Sequence, residues 1–245
     1  MTVVTPLLEV KGLSRRFGGL LAVRDLDLSV APGEIVGLIG PNGAGKTTAF
    51  HVIAGFHAPS AGTVRFKGES VVGLKPHAIC RRGLARTFQI VQPFTGISAL
   101  ENVMIGALHR APSAAAARAR AAEILDFVGL GPKRDVPARG LTLADRKRLE
   151  VARGLATEPE LLLLDEVMSG LNPTEIEETV ALIHRIHARG VSLLIIEHVM
   201  QAVMALSHRL VVLHHGEKIA DGPPADVSRD RRVVAAYLGE SGERR

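Results

Sequence analysis

The stretch Gly40-Pro-Asn-Gly-Ala-Gly45-Lys46-Thr47-Thr48 restricts what this chain can fold into more than any other. It follows the apolar run Glu34-Ile-Val-Gly-Leu-Ile39 and leads into Thr48-Ala-Phe-His-Val-Ile53, which has a helical pattern. Strand, glycine-rich loop, Lys-Thr and helix, in that order, make a phosphate-binding loop. Glycines let the backbone curl so that successive N–H groups converge on one anion. The helix N-terminus adds the positive end of its dipole. The predicted cradle comprises Gly40, Asn42, Gly43, Ala44, Gly45, Lys46, Thr47 and Thr48. Lys46 is placed to reach the β- and γ-phosphates, and the Thr47 hydroxyl to ligate Mg²⁺. A glycine turn that merely happens to precede Lys-Thr has no need of both flanking elements. The loop therefore predicts a nucleoside triphosphate site.

The chain has 245 residues, enough for one domain with a subdomain and a proper core. No uninterrupted apolar run approaches the roughly 20 residues that span a bilayer. The opening Met1-Thr-Val-Val-Thr-Pro-Leu-Leu-Glu lacks the basic and apolar regions of a signal peptide. Cys80 is alone, so no internal disulfide forms, which fits a reducing cytoplasm. A net charge of +5 invites comparison with nucleic-acid binders. The basic residues are dispersed, however, and with no Trp and a single Tyr, at position 237, there is little to stack on bases. No nucleic-acid partner is expected; a solvated surface facing an anionic membrane fits the charge better.

Leu7–Val10, Leu26–Val30 and Thr63–Phe66 pattern as short strands beside the strand that carries the loop. Ile97–Arg110, Ser113–Leu130 and Arg148–Ala156 pattern as helices, so a helical block from about 90 to 155 interrupts the core. Thereafter strand and helix alternate: Leu161–Leu164, helix Thr174–Ala188, Val191–Ile196, helix Gln201–Ser207. A hairpin around His215-Gly216 and a short helix near Val233–Leu238 close the chain.

The second strong signal is Leu161-Leu-Leu-Leu-Asp165-Glu166. An apolar strand ending in two acids puts Asp165 at the carboxyl edge of a sheet, where α/β proteins bind ligands. Asp165 is placed to hold Mg²⁺, and Glu166 to accept a proton from an attacking water. Two solvated acids at a strand end are common in isolation; downstream of a phosphate loop they are a pair with a task.

With both segments present the chain resembles, over nearly its whole length, the nucleotide-binding subunit of an ATP-binding cassette (ABC) transporter. The resemblance implies an α/β P-loop NTPase (RecA-like) core with an antiparallel β subdomain and an inserted helical subdomain. Residues 1–89 and 156–245 would form the core and β subdomain, and about 90–155 the helical subdomain. It implies that Phe17 stacks on adenine and that Gln89, in Arg86-Thr-Phe-Gln89, touches Mg²⁺ and the attacking water and senses the membrane subunits. Ser169, Gly170, Leu171 and Asn172 match the loop that crosses a dimer interface, and His198 matches the switch histidine at the γ-phosphate. The catalytic set is then Glu166, His198 and Gln89, the metal set Thr47, Gln89 and Asp165, and the cofactors ATP and Mg²⁺.

One segment departs from the family pattern. The signature Leu-Ser-Gly-Gly-Gln corresponds to Leu141, Thr142, Leu143, Ala144 and Asp145. Thr142 keeps a hydroxyl, but Leu143 and Ala144 replace glycines, and Asp145 is expected to bring a negative charge near the nucleotide. Within the family, Gly18–Val23, Ala85–Gln89 and Ala236–Glu240 resemble the branched-chain amino acid importers; cassettes for urea, amides or lipopolysaccharide export lie in the same group. The resemblance implies integral membrane permease subunits, a second cassette (unlike or identical), an indirectly engaged secreted solute-binding protein, and a peripheral position on the cytoplasmic face. The altered signature also leaves open a poorly hydrolysing regulatory module. Two-cassette soluble proteins acting on ribosomes or DNA are disfavoured by the lack of a repeat or coiled-coil insertion.

Overall fold

The computed structural model describes residues 5–242, and side chains through 237. The first four residues of the opening segment, and the side chains of the last three residues of Ala236–Glu240, lie outside the described residues. The elements run β1 (Leu8–Phe17), β2 (Leu20–Val30), β3 (Ile35–Ile39), α1 (Lys46–Ile53), β4 (Ala61–Phe66), β5 (Glu69–Ser70), α2 (Pro76–Arg81) and β6 (Leu84–Arg86). Then follow α3 (Ala99–Ala107), α4 (Ala114–Phe127), α5 (Leu143–Leu155), β7 (Leu161–Asp165), α6 (Pro173–Ala188) and β8 (Ser192–Ile196). The chain closes with α7 (Met200–Leu206), β9 (Arg209–His214), β10 (Glu217–Gly222), α8 (Pro224–Val227) and α9 (Arg231–Gly242). Two compact units divide it: Met1–Ile79 with Ser192–Arg245, and Cys80–Val191.

The first unit holds two kinds of sheet. An antiparallel sheet has the order β2-β1-β4-β5. Beside it, β3 pairs in parallel with both β8 and β9, and β10 pairs antiparallel with β9. All five residues of β3 and of β8 are buried, as strands covered on both faces require. The β1–β2 hairpin is longer than the pattern of the sequence predicts, reaching Phe17 and Leu20 across a Gly18-Gly19 turn. Register shifts after Val10, Leu13 and Arg15 explain the difference, because each bulge breaks the two-residue alternation that marks a strand. At the far edge Ile39, Leu210 and Val212 pack with Ala220, Val227 and Val233 from the closing segment, and Tyr237 packs against them.

The second unit pairs β6 with β7 in parallel, Leu84 opposite Leu161 and Arg86 opposite Leu163. Its helices begin on side-chain caps. Ser98 and Glu101 form a reciprocal box at α3, Ser113 caps α4, Thr142 and Asp145 box α5, and Asn172 and Glu175 box α6. Helix α5 therefore starts at Leu143, five residues before the apolar periodicity suggests. A cap, and not hydrophobic spacing, sets that end.

Candidate nucleotide site

The loop of the first unit is shaped by two glycines whose neighbours are backbone. Gly40 has φ +147°, and a Cβ there would lie 2.1 Å from the Leu213 carbonyl oxygen. Gly45 has φ +101° and caps α1; its Cβ would lie 2.4 Å from the carbonyl oxygen of Ala22. No side chain fits at either position, so these glycines are set by the approach of β9 and β2 as well as by the turn. The Gly216 N–H donates to the Ala44 carbonyl at 3.1 Å, which ties the loop to the β9–β10 turn. Lys46 is 5 % exposed, and its Nζ donates to the carbonyls of Gly40 (2.6 Å) and Pro41 (2.8 Å). The ammonium is thereby folded against the inner side of the loop. Asn42 and Gly43 are exposed, and Thr47 and Thr48 are half-buried in the first turn of α1, whose leading N–H groups have no intrahelical acceptor.

In the same unit Phe17 ends β1 with its ring partly exposed. The Arg15 guanidinium lies 4.4 Å from the ring centroid, and His57 meets the ring edge-on at 5.3 Å. A cation over an aromatic face is attractive and fixes the ring's attitude. His198 is exposed just past β8, following the buried Glu197, whose carboxylate accepts from the His198 N–H at 3.3 Å.

The second unit brings Gln89, Asp165, Glu166 and the signature helix together. Asp165 is fully buried, and the buried Arg86 guanidinium donates to its Oδ2 at 2.7 Å. Burial pushes the Arg86 pKa down while Asp165 supports its charge. The Asp165 N–H donates to the Thr87 hydroxyl at 3.0 Å, fixing the strand end. Glu166 adopts φ +50°, a left-handed conformation uncommon for a side-chain-bearing residue and typical of functional turns. Gln89 Nε2 donates to Glu166 Oε2 at 2.7 Å, so the glutamine meets the proposed base itself.

At the signature, Thr142 accepts from the Asp145 N–H at 3.2 Å, and Asp145 accepts from the Thr142 N–H at 3.3 Å. Lys133 Nζ donates to Asp145 Oδ2 at 2.5 Å. Burial works to raise the Asp145 pKa, but Lys133 and Thr142 outweigh it and hold the carboxyl below its ordinary range. The expected bare charge is thus engaged by a cation and by the helix cap. Leu143 is exposed and packs toward Gly170, 3.2 Å from where a Cβ there would stand, while Ala144 is buried. Asn172 spends its side chain capping α6, accepting from the Glu175 N–H at 3.0 Å, and Ser169 and Gly170 are exposed.

Asp145→Ala removes one arm of the box and the partner of Lys133. It is expected to cost about 1 kcal/mol, a fall in melting temperature of about 2–4 °C for a chain of this size. Because the folded carboxyl sits below its unfolded pKa, the stabilisation is present above the unfolded value and lost as pH falls through the folded one. Melting curves of the wild type and variant should therefore converge in acid.

Three residues here are hidden in the sequence. Arg86 and Lys147 look like ordinary surface cations, and Glu197 like a solvated acid, yet all are buried. Only their position beside an apolar strand end or in a helix flanking one hinted otherwise.

A cap-bearing glycine loop opening a helix, with an acidic strand end elsewhere in the fold, defines a phosphate-loop nucleoside triphosphatase. The ABC transporter family model matches residues 23–169, and a model for the branched-chain amino acid ATP-binding cassette transporter matches residues 217–243. Two curated relatives are each 40 % identical over 96 % of this chain and 99 % of their own. They are the high-affinity branched-chain amino acid transport ATP-binding proteins BraF of Pseudomonas aeruginosa and LivG of Escherichia coli K12. The lipopolysaccharide export system ATP-binding protein LptB of Acidithiobacillus ferridurans is 34 % identical over 97 % of this chain and 98 % of its own. Among solved structures, a nucleotide-free ATP-binding cassette from an ABC transporter aligns with TM-score 0.87 at 29 % identity, over 95 % of this chain and 99 % of that one. The ADP conformation of an ABC transporter cassette aligns with TM-score 0.87 at 29 % identity, over 96 % and 99 %. The chain belongs to the ABC transporter family and is an ATP-binding cassette that hydrolyses ATP to power transport. Among the described residues no helix is long and apolar enough to cross a membrane.

Proposed function

We propose that this cassette energises uptake of branched-chain amino acids or a related small polar solute. The observation that carries the reading is the branched-chain cassette match at residues 217–243, a segment separate from the general ABC match. The cassette would work peripherally on the cytoplasmic face of a membrane, with integral permease subunits, a second cassette and, indirectly, a secreted solute-binding protein. The helical block at about 90–155 would face the permease, with 1–89 and 156–245 as catalytic core and β subdomain.

In this reading Phe17 stacks on adenine, the loop from Gly40 to Thr48 cradles the phosphates, and Lys46 meets the β- and γ-phosphates. Thr47 and Asp165, aided by Gln89, would hold Mg²⁺. Hydroxyl, carboxylate and amide oxygens suit that hard cation, which would share the buried Asp165 carboxylate with Arg86. Bound there, Mg²⁺ would neutralise phosphate charge. Glu166 accepts a proton from the attacking water, and His198 steadies the γ-phosphate. Thr142, Leu143, Ala144 and Asp145 serve a partner cassette's nucleotide across the loop Ser169–Asn172.

The test is ATPase activity of the cassette co-expressed with its permease subunits and second cassette in vesicles. Adding the solute-binding protein loaded with leucine should stimulate hydrolysis several-fold. Stimulation by urea or short amides alone, or none by any small solute, overturns the branched-chain reading.

A further inference from the structure

We infer that Lys147 is a positioning residue for Glu166, joining the signature-bearing helix to the base of hydrolysis; this rests on the reading of Glu166 as that base. Lys147 lies on α5, five residues after the Thr142 cap, and is only 6 % exposed. Its Nζ donates to the backbone carbonyl of Glu166 at 2.7 Å. A buried ammonium is strongly unfavourable unless it is hydrogen-bonded, so this contact fixes where the side chain goes.

The carbonyl it grips belongs to the residue at φ +50°. A left-handed conformation at a glutamate persists only where its surroundings hold it. The Ser169 N–H also reaches this carbonyl, at a longer 3.3 Å, and Gln89 holds the carboxylate at 2.7 Å. Lys147 thus fixes the main-chain end of Glu166 and Gln89 the carboxylate end. The same helix secures the segment that carries Gln89: Glu150 accepts from the Phe88 N–H, and Arg153 donates to the Gln92 carbonyl at 3.2 Å. One rigid helix sets both holds on the base. Contact at its Thr142 end therefore reaches Glu166 through Lys147, which links the signature offered to another nucleotide with the base serving this chain's own.

The experiment compares kcat, KM and ATP affinity for the full chain with MgATP in Lys147→Met, Lys147→Arg, Glu166→Gln and the Lys147→Met/Glu166→Gln double variant. Lys147→Met should lower kcat by about 10- to 100-fold, as small misplacements of a reacting group do, with ATP affinity held within about two-fold. Lys147→Arg, which keeps a charged donor, should recover most of kcat. The double variant should be no slower than Glu166→Gln, since residues acting as one unit are not additive. Unchanged kcat in Lys147→Met, a loss confined to ATP affinity, or multiplicative losses in the double variant each overturn the inference. If Glu166→Gln itself retains full kcat, the reading of Glu166 falls and the inference with it. If Lys147→Met fails to fold by its melting curve, Lys147→Gln, with a neutral donor, carries the same comparison.

Discussion

Lys46→Ala weakens ATP binding by roughly one to two orders of magnitude and abolishes productive hydrolysis. Lys46 opens α1 with its ammonium held within the loop by the Gly40 and Pro41 carbonyls. A phosphate entering the cradle offers that ammonium anionic oxygens in place of neutral carbonyls, and charge-assisted contacts are the stronger kind. Losing one such contact costs about 1.5–3 kcal/mol, or a roughly 10- to 150-fold weaker Kd for ATP. The rate falls further, because charge developing on the transferred phosphoryl group loses a cationic contact. The fold should survive, since both carbonyl partners belong to the loop itself and alanine is a good helix former at Lys46. Titration with a fluorescent ATP analogue, alongside a melting curve, separates lost binding from lost structure. Lys46→Arg should rescue little, because a planar guanidinium does not replace a compact ammonium between two carbonyls. Retained affinity and ATPase activity in Lys46→Ala would overturn the site.

The loop was legible because its chemistry is local: glycines, Lys46 and Thr47 stand side by side in the chain. The reasons for Gly40 and Gly45 were only half legible. Their positive φ follows from a tight turn, but the carbonyls of Leu213 and Ala22 that forbid a Cβ come from distant segments. Strands β3, β7 and β8 announced themselves as apolar runs, since burial on both faces leaves no polar alternation to obscure them. Strand β6 was invisible. Three residues ending in an arginine give no period, and nothing in the sequence says that Arg86 is buried against Asp165. The same limit hid Lys147, because a lysine on a helix is read as solvated until a carbonyl from another element is seen beside it. At the signature the sequence marked a departure from the family pattern but not its electrostatics. The charge of Asp145 is met by Lys133, twelve residues upstream and on no periodicity that would pair them.

Glu166→Gln traps ATP while stopping turnover. Glutamine keeps the size and shape of glutamate, so the turn at φ +50° and its carbonyl contacts to Lys147 and Ser169 are preserved. An amide cannot accept the proton of the attacking water, and losing a general base costs about 10²- to 10⁴-fold in rate. Single-turnover hydrolysis with radiolabelled ATP should show that loss with ATP affinity intact; a variant that still turns over at the wild-type rate removes Glu166 from the mechanism. The more demanding form of the experiment compares the two sites of a mixed cassette pair. On the proposed roles, this chain's own site would keep Lys46, Glu166 and His198, whereas the site it would complete for a partner would receive Leu143 and Ala144 in place of glycines. Glu166→Gln here should therefore remove most of the complex's ATPase activity, and the matching change in an unlike partner only a minor share. Equal losses would sink the asymmetry. Because Lys133 and the helix cap engage Asp145, the exposed Leu143 is the more serious obstacle left at the signature. Changing Leu143 and Ala144 together to glycine should then raise turnover at the partner's site while leaving this chain's own site as it was. No rise would mean that the first turn of α5 already presents its backbone donors to phosphate past the leucine.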